Sequence, residues 1–268
     1  MFASEPGCGA KQPPRPPAAH AGLVAIVTAI PEEFDAIAKC VSYGERRRTF
    51  NGGPGILLRG RMADVPVLLG MTGDGPARAS ASISSLLRDF PVSFLVGAGA
   101  AGALDPSLRT GEILVASRVV DEAGEAPAPD VSLVSKAVAL GAKPATFVTV
   151  ARPITSSREK SEVARRFGAA DTTGAVVDME SAAWARAVAS HGIPFVILRA
   201  VSDNFEEELP AFLSSCMAAD GSIDRAAVAR RLVLHPAALP RLLRVRRRVR
   251  DGAGAVGLFL ERLLPEKI

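Results

Sequence analysis

The chain has 268 residues, of which 48% are hydrophobic, 22% charged and 5% aromatic, so it can form one large globular domain with an aliphatic core. Its net charge of +4 comes largely from six arginines between Arg241 and Arg250, so the overall basicity says little about the ligand of the remaining chain. Three isolated histidines and three cysteines without metal-like spacing argue against a histidine triad, a zinc site or a disulfide framework.

The predicted elements follow a proline-rich N-terminal tail, residues 1–20, which we expect to lie outside the fold as a disordered segment. Short apolar runs alternate with helical patterns, in this order: strand 23–28, a helix starting at Pro31, strands 56–59 and 65–70, helix 76–88, strand 92–96, strand 113–117, helix 131–140, strand 145–150, helix 157–167, strand 175–177, helix 181–191 and strand 193–201. This alternation predicts an α/β fold: a single three-layer domain, residues 21–235, with a mostly parallel mixed central sheet flanked by helices.

The remaining residues, 236–268, are predicted to form a basic amphipathic helical extension. Leu239, Leu242, Val245 and Val249 recur at helical spacing beside the arginines, and a second apolar stripe follows at residues 256–263. A basic amphipathic helix is typical of peripheral contact with a membrane surface. The alternative is a helix packed on the domain or on a partner subunit.

The segment 176–204 carries the densest chemical signal. Met179 and Glu180 stand where one apolar segment turns into an alanine-rich helix, and the next apolar strand ends with Arg199 and Asp203. Because alternate residues of a strand share a face, these two side chains point the same way. Both lie at the carboxyl end of a predicted parallel strand, which is the usual ligand edge of an α/β sheet. The alternative is an ordinary αβ unit with a surface ion pair.

This segment resembles the nucleoside phosphorylase and nucleosidase superfamily, and the resemblance extends over about residues 22–235. The matching motifs are Asp178-Met179-Glu180-Ser181-Ala182-Ala183 and Leu198-Arg199-Ala200-Val201-Ser202-Asp203. The resemblance implies that Asp203 is the general acid for a leaving purine and that Arg199 holds this acid in place. It also implies that Glu180 hydrogen-bonds the ribose hydroxyls, that Met179 packs on the sugar and that Ser202 contacts substrate.

Glu33 is the third candidate catalytic acid. The segment Ala29-Ile30-Pro31-Glu32-Glu33 resembles the nucleosidase segment in which the last acid activates the attacking water. Adjacent glutamates at the start of a helix also serve simply to complement the helix dipole.

Two glycine-rich segments complete the resemblance. The run Gly97–Leu104 resembles the family's loop at a strand end, which implies substrate contacts at Ala100 and Gly102, although many members have Ser where this chain has Ala100. The segment beginning at Gly73 resembles a second anion-binding loop. Gly73 and Arg78 are therefore candidates for phosphate binding, the alternative being a solvated helix arginine.

Details of the sequence resemble the subgroup of hopanoid-associated phosphorylases, which implies removal of adenine from adenosylhopane. Methylthioadenosine or adenosylhomocysteine is the alternative substrate, and hydrolysis and phosphorolysis both remain open. We expect neither a metal nor a cofactor, with phosphate as a co-substrate if the enzyme is a phosphorylase.

Two other classes of protein compete with the enzyme: a module that binds a nucleoside without cleaving it, and a nucleic-acid-binding protein. The second is disfavoured by the few aromatics and the lack of a recognised motif.

No apolar run approaches the roughly 20 residues that span a bilayer, and the run 23–30 is too short and too internal for a signal peptide. We expect a cytoplasmic homodimer or higher homo-oligomer, at the inner membrane surface if the C-terminal helix binds lipid.

Overall fold

The computed structural model describes residues 22–47, 56–170, 172 and 174–264, so the predicted tail 1–20 lies outside the described residues. The elements are, in chain order, β1 (Leu23–Thr28), α1 (Pro31–Ile37), β2 (Ser42–Arg47), β3 (Leu57–Met62), β4 (Val65–Met71), α2 (Pro76–Asp89), β5 (Val92–Ala103), β6 (Ile113–Asp121), β7 (Gly124–Glu125), α3 (Val131–Ala139), β8 (Lys143–Thr149), α4 (Ser157–Arg166), β9 (Ala175–Asp178), α5 (Ser181–Ala189), β10 (Phe195–Asp203), α6 (Arg225–Leu234) and α7 (Leu239–Leu263). Short 3₁₀ helices lie at Ala38–Cys40, Ala211–Ser215 and Pro236–Ala238.

The strands form one mixed sheet in the order β10-β6-β8-β9-β5-β1-β4-β3-β2, with β7 added on β6. The pairs β1–β4, β1–β5, β5–β10, β6–β8 and β8–β9 are parallel, whereas β2–β3, β3–β4, β5–β9 and β6–β10 are antiparallel. Because β10 pairs with β5 as well as with β6, the strands β10, β6, β8, β9 and β5 close into a ring. The predicted α/β domain with a mixed sheet and flanking helices is confirmed.

Alternation along β1 shows how the sheet divides two hydrophobic cores. Ala25 and Val27 pack with residues of α2 and α5, and Val24 and Ile26 pack on the opposite face with residues of α1, α3 and α7. Successive side chains of a strand point to opposite faces, so every second residue of β1 enters a different core. Helices therefore cover both faces of this part of the sheet.

The predicted strand at residues 92–96 is much longer than its apolar run. β5 continues to Ala103, and the run Gly97–Leu104, which the sequence predicts as a loop, is strand as far as residue 103. β10 pairs with this part of β5 in parallel register, with Arg199 opposite Gly99 and Asp203 opposite Gly102. The small residues thus extend the sheet to the edge where the polar residues of β10 emerge.

The C-terminal helix α7 is half embedded in the domain. Val256, Phe259, Leu260 and Leu263 are buried with residues of β1 and β5, and the helix packs against α1, β5 and β10. The predicted apolar stripe exists, and this half of it faces the domain core. The predicted division after residue 235 therefore separates part of α7 from a core to which it belongs, because a helical stripe does not reveal what covers it.

The burial of α7 predicts that two of its leucines contribute very differently to the free energy of unfolding. Leu260→Ala, at a fully buried position, should lower the free energy of unfolding by about 2–5 kcal/mol through loss of contacts and a residual cavity. Leu258→Ala, at a position 61% exposed, should change it by less than about 0.5 kcal/mol. Urea unfolding of the two variants provides the measurement. Equal small effects would mean that α7 does not belong to the core.

Candidate active site

A cavity of about 230 Å³ opens at the carboxyl ends of β1, β5, β9 and β10. Most of the predicted site residues line it, namely Glu33, Ala100, Gly102, Met179, Glu180, Ser202 and Asp203. The strand order explains this assembly, because β1, β5 and β9 are successive neighbours and β10 also pairs with β5. Ligands of open α/β sheets bind at this edge.

A buried arginine, Arg199, pairs with three acidic side chains of the cavity. The Arg199 guanidinium lies 3.1 Å from Asp178 Oδ2 and 3.8 Å from carboxylate oxygens of both Glu33 and Glu180. Its central carbon lies 4.6 Å from the ring centroid of Trp184, so the guanidinium also stacks on an aromatic face. Arg199 is 1% exposed and does not itself line the cavity. It therefore acts as the positive centre between three acidic side chains.

Asp178, which the sequence did not single out as a site residue, anchors this arginine to the start of α5. Its Oδ1 accepts hydrogen bonds from the Thr149 hydroxyl at 2.9 Å and from the Ser181 amide at 3.2 Å. Its Oδ2 accepts from Arg199 Nε at 3.2 Å and from the Ser181 hydroxyl. One carboxylate thus satisfies the first amides of a helix and the central cation together.

Glu33 is held by two main-chain amides, one directly after β1 and one within β5. Its Oε2 accepts from the Ala29 amide at 3.0 Å, and its Oε1 accepts from the Ala100 amide at 2.8 Å. Burial raises the pKa of this carboxyl, and the Arg199 charge and the amide hydrogen bonds offset part of that effect. Glu33 therefore faces the cavity from a fixed position, as a group suited to accept a proton.

Glu180 is a second buried carboxyl group of the cavity whose pKa is raised. Its Oε1 accepts a hydrogen bond from the Gly75 amide at 3.0 Å. Burial, with the nearby charges of Asp178 and Glu33, raises its pKa to about 8 despite the attraction of Arg199. At neutral pH Glu180 is therefore mainly protonated, and its carboxyl group can donate a hydrogen bond as well as accept one.

Asp203 has a buried cationic partner that the sequence did not suggest. Its Oδ2 lies 2.6 Å from Lys160 Nζ of α4, and its Oδ1 accepts from the Ser202 hydroxyl at 2.7 Å. Lys160 lies in the polar sequence of α4, where a lysine is most often solvated. Only the tertiary fold brings it to the end of β10.

Two glycines of β5 make room for this arrangement. A Cβ at residue 99 would lie 2.3 Å from Arg199 Nη1 and 2.4 Å from Glu33 Oε1, distances that no side chain tolerates. A Cβ at residue 102 would lie 3.0 Å from Asp203 Oδ2. Gly99 and Gly102 are thus explained by the close approach of site residues, rather than by a loop that wraps an anion.

The predicted phosphate-binding pair lies elsewhere. Arg78 donates to Asp220 at 2.8 Å on a half-exposed surface, and neither Gly73 nor Arg78 lines the cavity. The nearby glycine that reaches the site is Gly75, whose amide binds Glu180. Arg78 therefore matches the alternative prediction of a helix arginine at the surface. Its partner, Asp220, is 142 residues away in the chain, so the local sequence could not reveal the pair.

Comparison with known proteins identifies the family to which the sequence is similar. The sequence model of the Phosphorylase superfamily matches residues 23–233. A 5'-methylthioadenosine/S-adenosylhomocysteine nucleosidase of Shewanella denitrificans is 29% identical over 180 residues, which are 59% of this chain and 77% of that protein. The nucleosidase of the same name from a Marinomonas species is 25% identical over 214 residues, covering 70% and 88% of the two chains.

Solved structures show the same fold at lower identity. The 5'-methylthioadenosine/S-adenosyl homocysteine nucleosidase of Helicobacter pylori superposes with a TM-score of 0.71 and 17% identity, covering 93% of this chain and 100% of that one. Futalosine hydrolase of Helicobacter pylori also gives a TM-score of 0.71 at 17% identity, covering 92% and 99%. At such identities the likeness establishes the fold alone.

The protonation of Glu180 predicts how stability depends on pH. Between the ordinary carboxyl pKa of 4.5 and about 8, the folded protein retains a proton on Glu180 that the unfolded chain has lost. The folded state then binds more protons, so the free energy of unfolding should fall as pH rises through this range. Glu180→Gln should make that fall shallower in urea unfolding at several pH values. The same slope in both proteins would mean that Glu180 ionises normally.

Proposed function

We propose that this chain, which belongs to the phosphorylase superfamily, hydrolyses an adenine nucleoside whose 5' position carries a large apolar group. The superfamily assignment and its relatives make it an enzyme that cleaves the N-glycosidic bond of purine nucleosides. Adenosylhopane is the substrate that we propose, in hopanoid biosynthesis. The observation that carries the proposal is the meeting of Asp203, Glu33 and Glu180 at one cavity. Their positions match the three requirements of such a cleavage.

The first requirement is a proton for the leaving base, because a purine anion departs poorly. Asp203 meets it at one end of the cavity. The second requirement is stabilisation of a sugar that becomes oxocarbenium-like, which Glu180 provides by hydrogen bonds to the ribose hydroxyls. Met179, half-buried on the cavity wall, offers an apolar surface to the sugar.

The third requirement is a nucleophile, and the charges around the cavity favour water over phosphate. Among the described residues that line the cavity, Arg152 alone carries a fixed positive charge, and it pairs with Glu159 at 2.8 Å. A phosphate dianion is normally held by several cationic or amide donors. Glu33 and Asp178 would instead repel it, whereas Glu33 is well placed to accept a proton from water. We therefore assign Glu33 as the general base of a hydrolysis.

An apolar groove beside the cavity supports a large 5' group. The groove has a volume of about 280 Å³, and it shares Ile30, Asp74, Ile223, Val245 and Val249 with the cavity. Leu213, Val228 and Leu242 extend it outwards along α6 and α7. Burial of apolar substituents there is favoured at about 0.8 kcal/mol per methylene group. Among the charged residues of the groove, Glu32 pairs with Arg225 and Arg246, so the charged amino acid end of adenosylhomocysteine would gain less stabilisation there.

The outer surface near this groove supports contact with an anionic membrane. Val233, Leu234, Leu239 and Leu243, between 44% and 81% exposed, form an apolar patch around the junction of α6 and α7. Within the part of the chain that the structure describes, the exposed Arg231, Arg241 and Arg244 form no ion pair. Apolar side chains flanked by unpaired arginines suit a lipid surface. No helix in the described ranges is long and apolar enough to cross a membrane.

The test of the substrate is adenine release from adenosylhopane, methylthioadenosine and adenosylhomocysteine, each with and without phosphate. We expect kcat/KM for adenosylhopane to exceed that for methylthioadenosine by at least about tenfold, because the groove buries the substituent. Phosphate should not change the rate.

Two variants sharpen this test. Val228→Asp, in the groove but outside the cavity, should lower kcat/KM for adenosylhopane and leave methylthioadenosine unaffected. Asp203→Asn should still bind nucleoside while turnover falls about 10²–10⁴-fold. Preference for methylthioadenosine would support the alternative nucleosidase, and nucleoside binding without adenine release in the wild type would support a binding module.

The test of the membrane surface is flotation with vesicles that contain phosphatidylserine. Arg241→Gln combined with Arg244→Gln should weaken binding roughly 30-fold, at about 1 kcal/mol for each arginine. Arg88→Gln combined with Arg158→Gln, which removes the same charge from α2 and α4, is the matched control and should bind normally. Equal binding by both pairs, or a stable dimer that buries the patch in solution, would contradict the membrane surface.

A further inference from the structure

Lys160 is fully buried although it lies in the most polar helix that borders the site. Its Nζ donates to Asp203 Oδ2 at 2.6 Å, to the Asn204 carbonyl at 2.6 Å and to the Glu207 carbonyl at 3.3 Å. Three acceptors match the three N–H bonds of an ammonium group. Burial of a charge is costly unless it is paired in this way, so the position of Lys160 calls for an explanation.

The neighbouring charges leave Lys160 and Asp203 as a separate pair. The Glu207 carboxylate binds Arg248 of α7, so it does not compete for the ammonium group, and only the Glu207 carbonyl faces Lys160. The carboxylates around Arg199 form their own cluster. Lys160 does not line the cavity, whereas Asp203 does. Any effect of Lys160 on the reaction must therefore pass through Asp203 or through the chain that follows it.

We propose that Lys160 is a positioning residue that fixes the Asp203 carboxyl group towards the leaving base and stabilises the carboxylate that proton transfer leaves behind. This role rests on the proposed function. Before cleavage the Asp203 carboxylate takes up a proton from solvent. When the bond between sugar and base breaks, its electron pair stays with the base, and that proton passes from Asp203 to a ring nitrogen. Asp203 then returns to the carboxylate that pairs with the Lys160 ammonium, which lowers the cost of leaving an anion buried there.

The same hydrogen bonds fix the geometry of the acid. The Ser202 hydroxyl holds Oδ1 and Lys160 holds Oδ2, so the carboxyl group cannot rotate freely. The bonds to the carbonyls of residues 204 and 207 hold the segment that follows β10. A misplaced acid would bind the nucleoside normally and protonate it slowly. Loss of Lys160 should therefore affect kcat far more than KM.

The experiment compares the full-length wild type, Lys160→Met and Lys160→Arg in steady-state release of adenine. The substrate is whichever of the three nucleosides named above the wild type cleaves fastest, and each rate is corrected for the folded fraction by circular dichroism. Met has similar length but neither charge nor N–H donors, and Arg retains both. We expect Lys160→Met to lower kcat about 100-fold, within the range for loss of general acid catalysis, with KM within about threefold of the wild type. Lys160→Arg should recover at least about tenfold of the loss.

The outcomes are distinct. An unchanged kcat in Lys160→Met, a parallel loss of kcat and gain in KM, or no recovery in Lys160→Arg would overturn the proposal and leave Lys160 as a structural residue. If Lys160→Met does not fold, Lys160→Gln, which retains an N–H donor without charge, takes its place under the same criteria. Absence of adenine release by the wild type would refute the proposed function itself, independently of the variants.

Discussion

The site depends on one interaction, the burial of the Arg199 guanidinium among Asp178, Glu33 and Glu180. These acids come from different parts of the chain, α1 and the β9–α5 junction, and each would be costly to bury without a cation. Arg199 holds them at one cavity, while Trp184 covers its flat face. Burial, together with the charges of Asp178 and Glu33, raises the pKa of Glu180 to about 8 although Arg199 lies beside it.

The register of β5 and β10 sets the distance between the Arg199 cluster and Asp203. Parallel pairing sets Arg199 opposite Gly99 and Asp203 opposite Gly102, so the arginine and the acid emerge beside glycines that have no side chain to block them. Arg199 and Asp203 are four residues apart on β10, which is about 13 Å at the rise of a strand. Lys160 beside Asp203 and Asp178 beside Arg199 give each its own counter-charge.

Much of this could be predicted from sequence where the signal is local. The apolar runs indicated most strands, and the Asp178–Ala183 and Leu198–Asp203 motifs indicated the polar residues that meet at the cavity. Long-range contacts were not predictable: Lys160 carries no local sign of its pairing with Asp203, and Arg78 gives none of its pairing with Asp220.

Two sequence predictions differ from the structure, each for its own physical reason. The glycine and alanine run after Val96 lacks the β-branched residues that indicate a strand, and it is strand because neighbouring side chains need the space. The stripe of α7 shows which face is apolar and not whether protein or lipid covers it. In the structure its second half is covered by the domain, and its first half borders the groove and the exposed patch. Strand β2 and helix α6 had no sufficiently periodic pattern to be predicted.

The charges of the cluster are also the basis for proposing water as the nucleophile. Glu33, Asp178 and Glu180 already surround Arg199, and the arginine that lines the cavity, Arg152, is paired with Glu159. Such a site holds a neutral water molecule more readily than a phosphate dianion. The family name points to phosphate, but the residues of this chain favour water.

The most direct measurement is the fate of labelled oxygen during cleavage of the nucleoside in water enriched in oxygen-18, with phosphate present. Mass spectrometry of the sugar product should show one labelled oxygen on the anomeric carbon and no sugar phosphate. Formation of a sugar 1-phosphate without label would contradict the proposal that Glu33, held beside Arg199, activates water for hydrolysis.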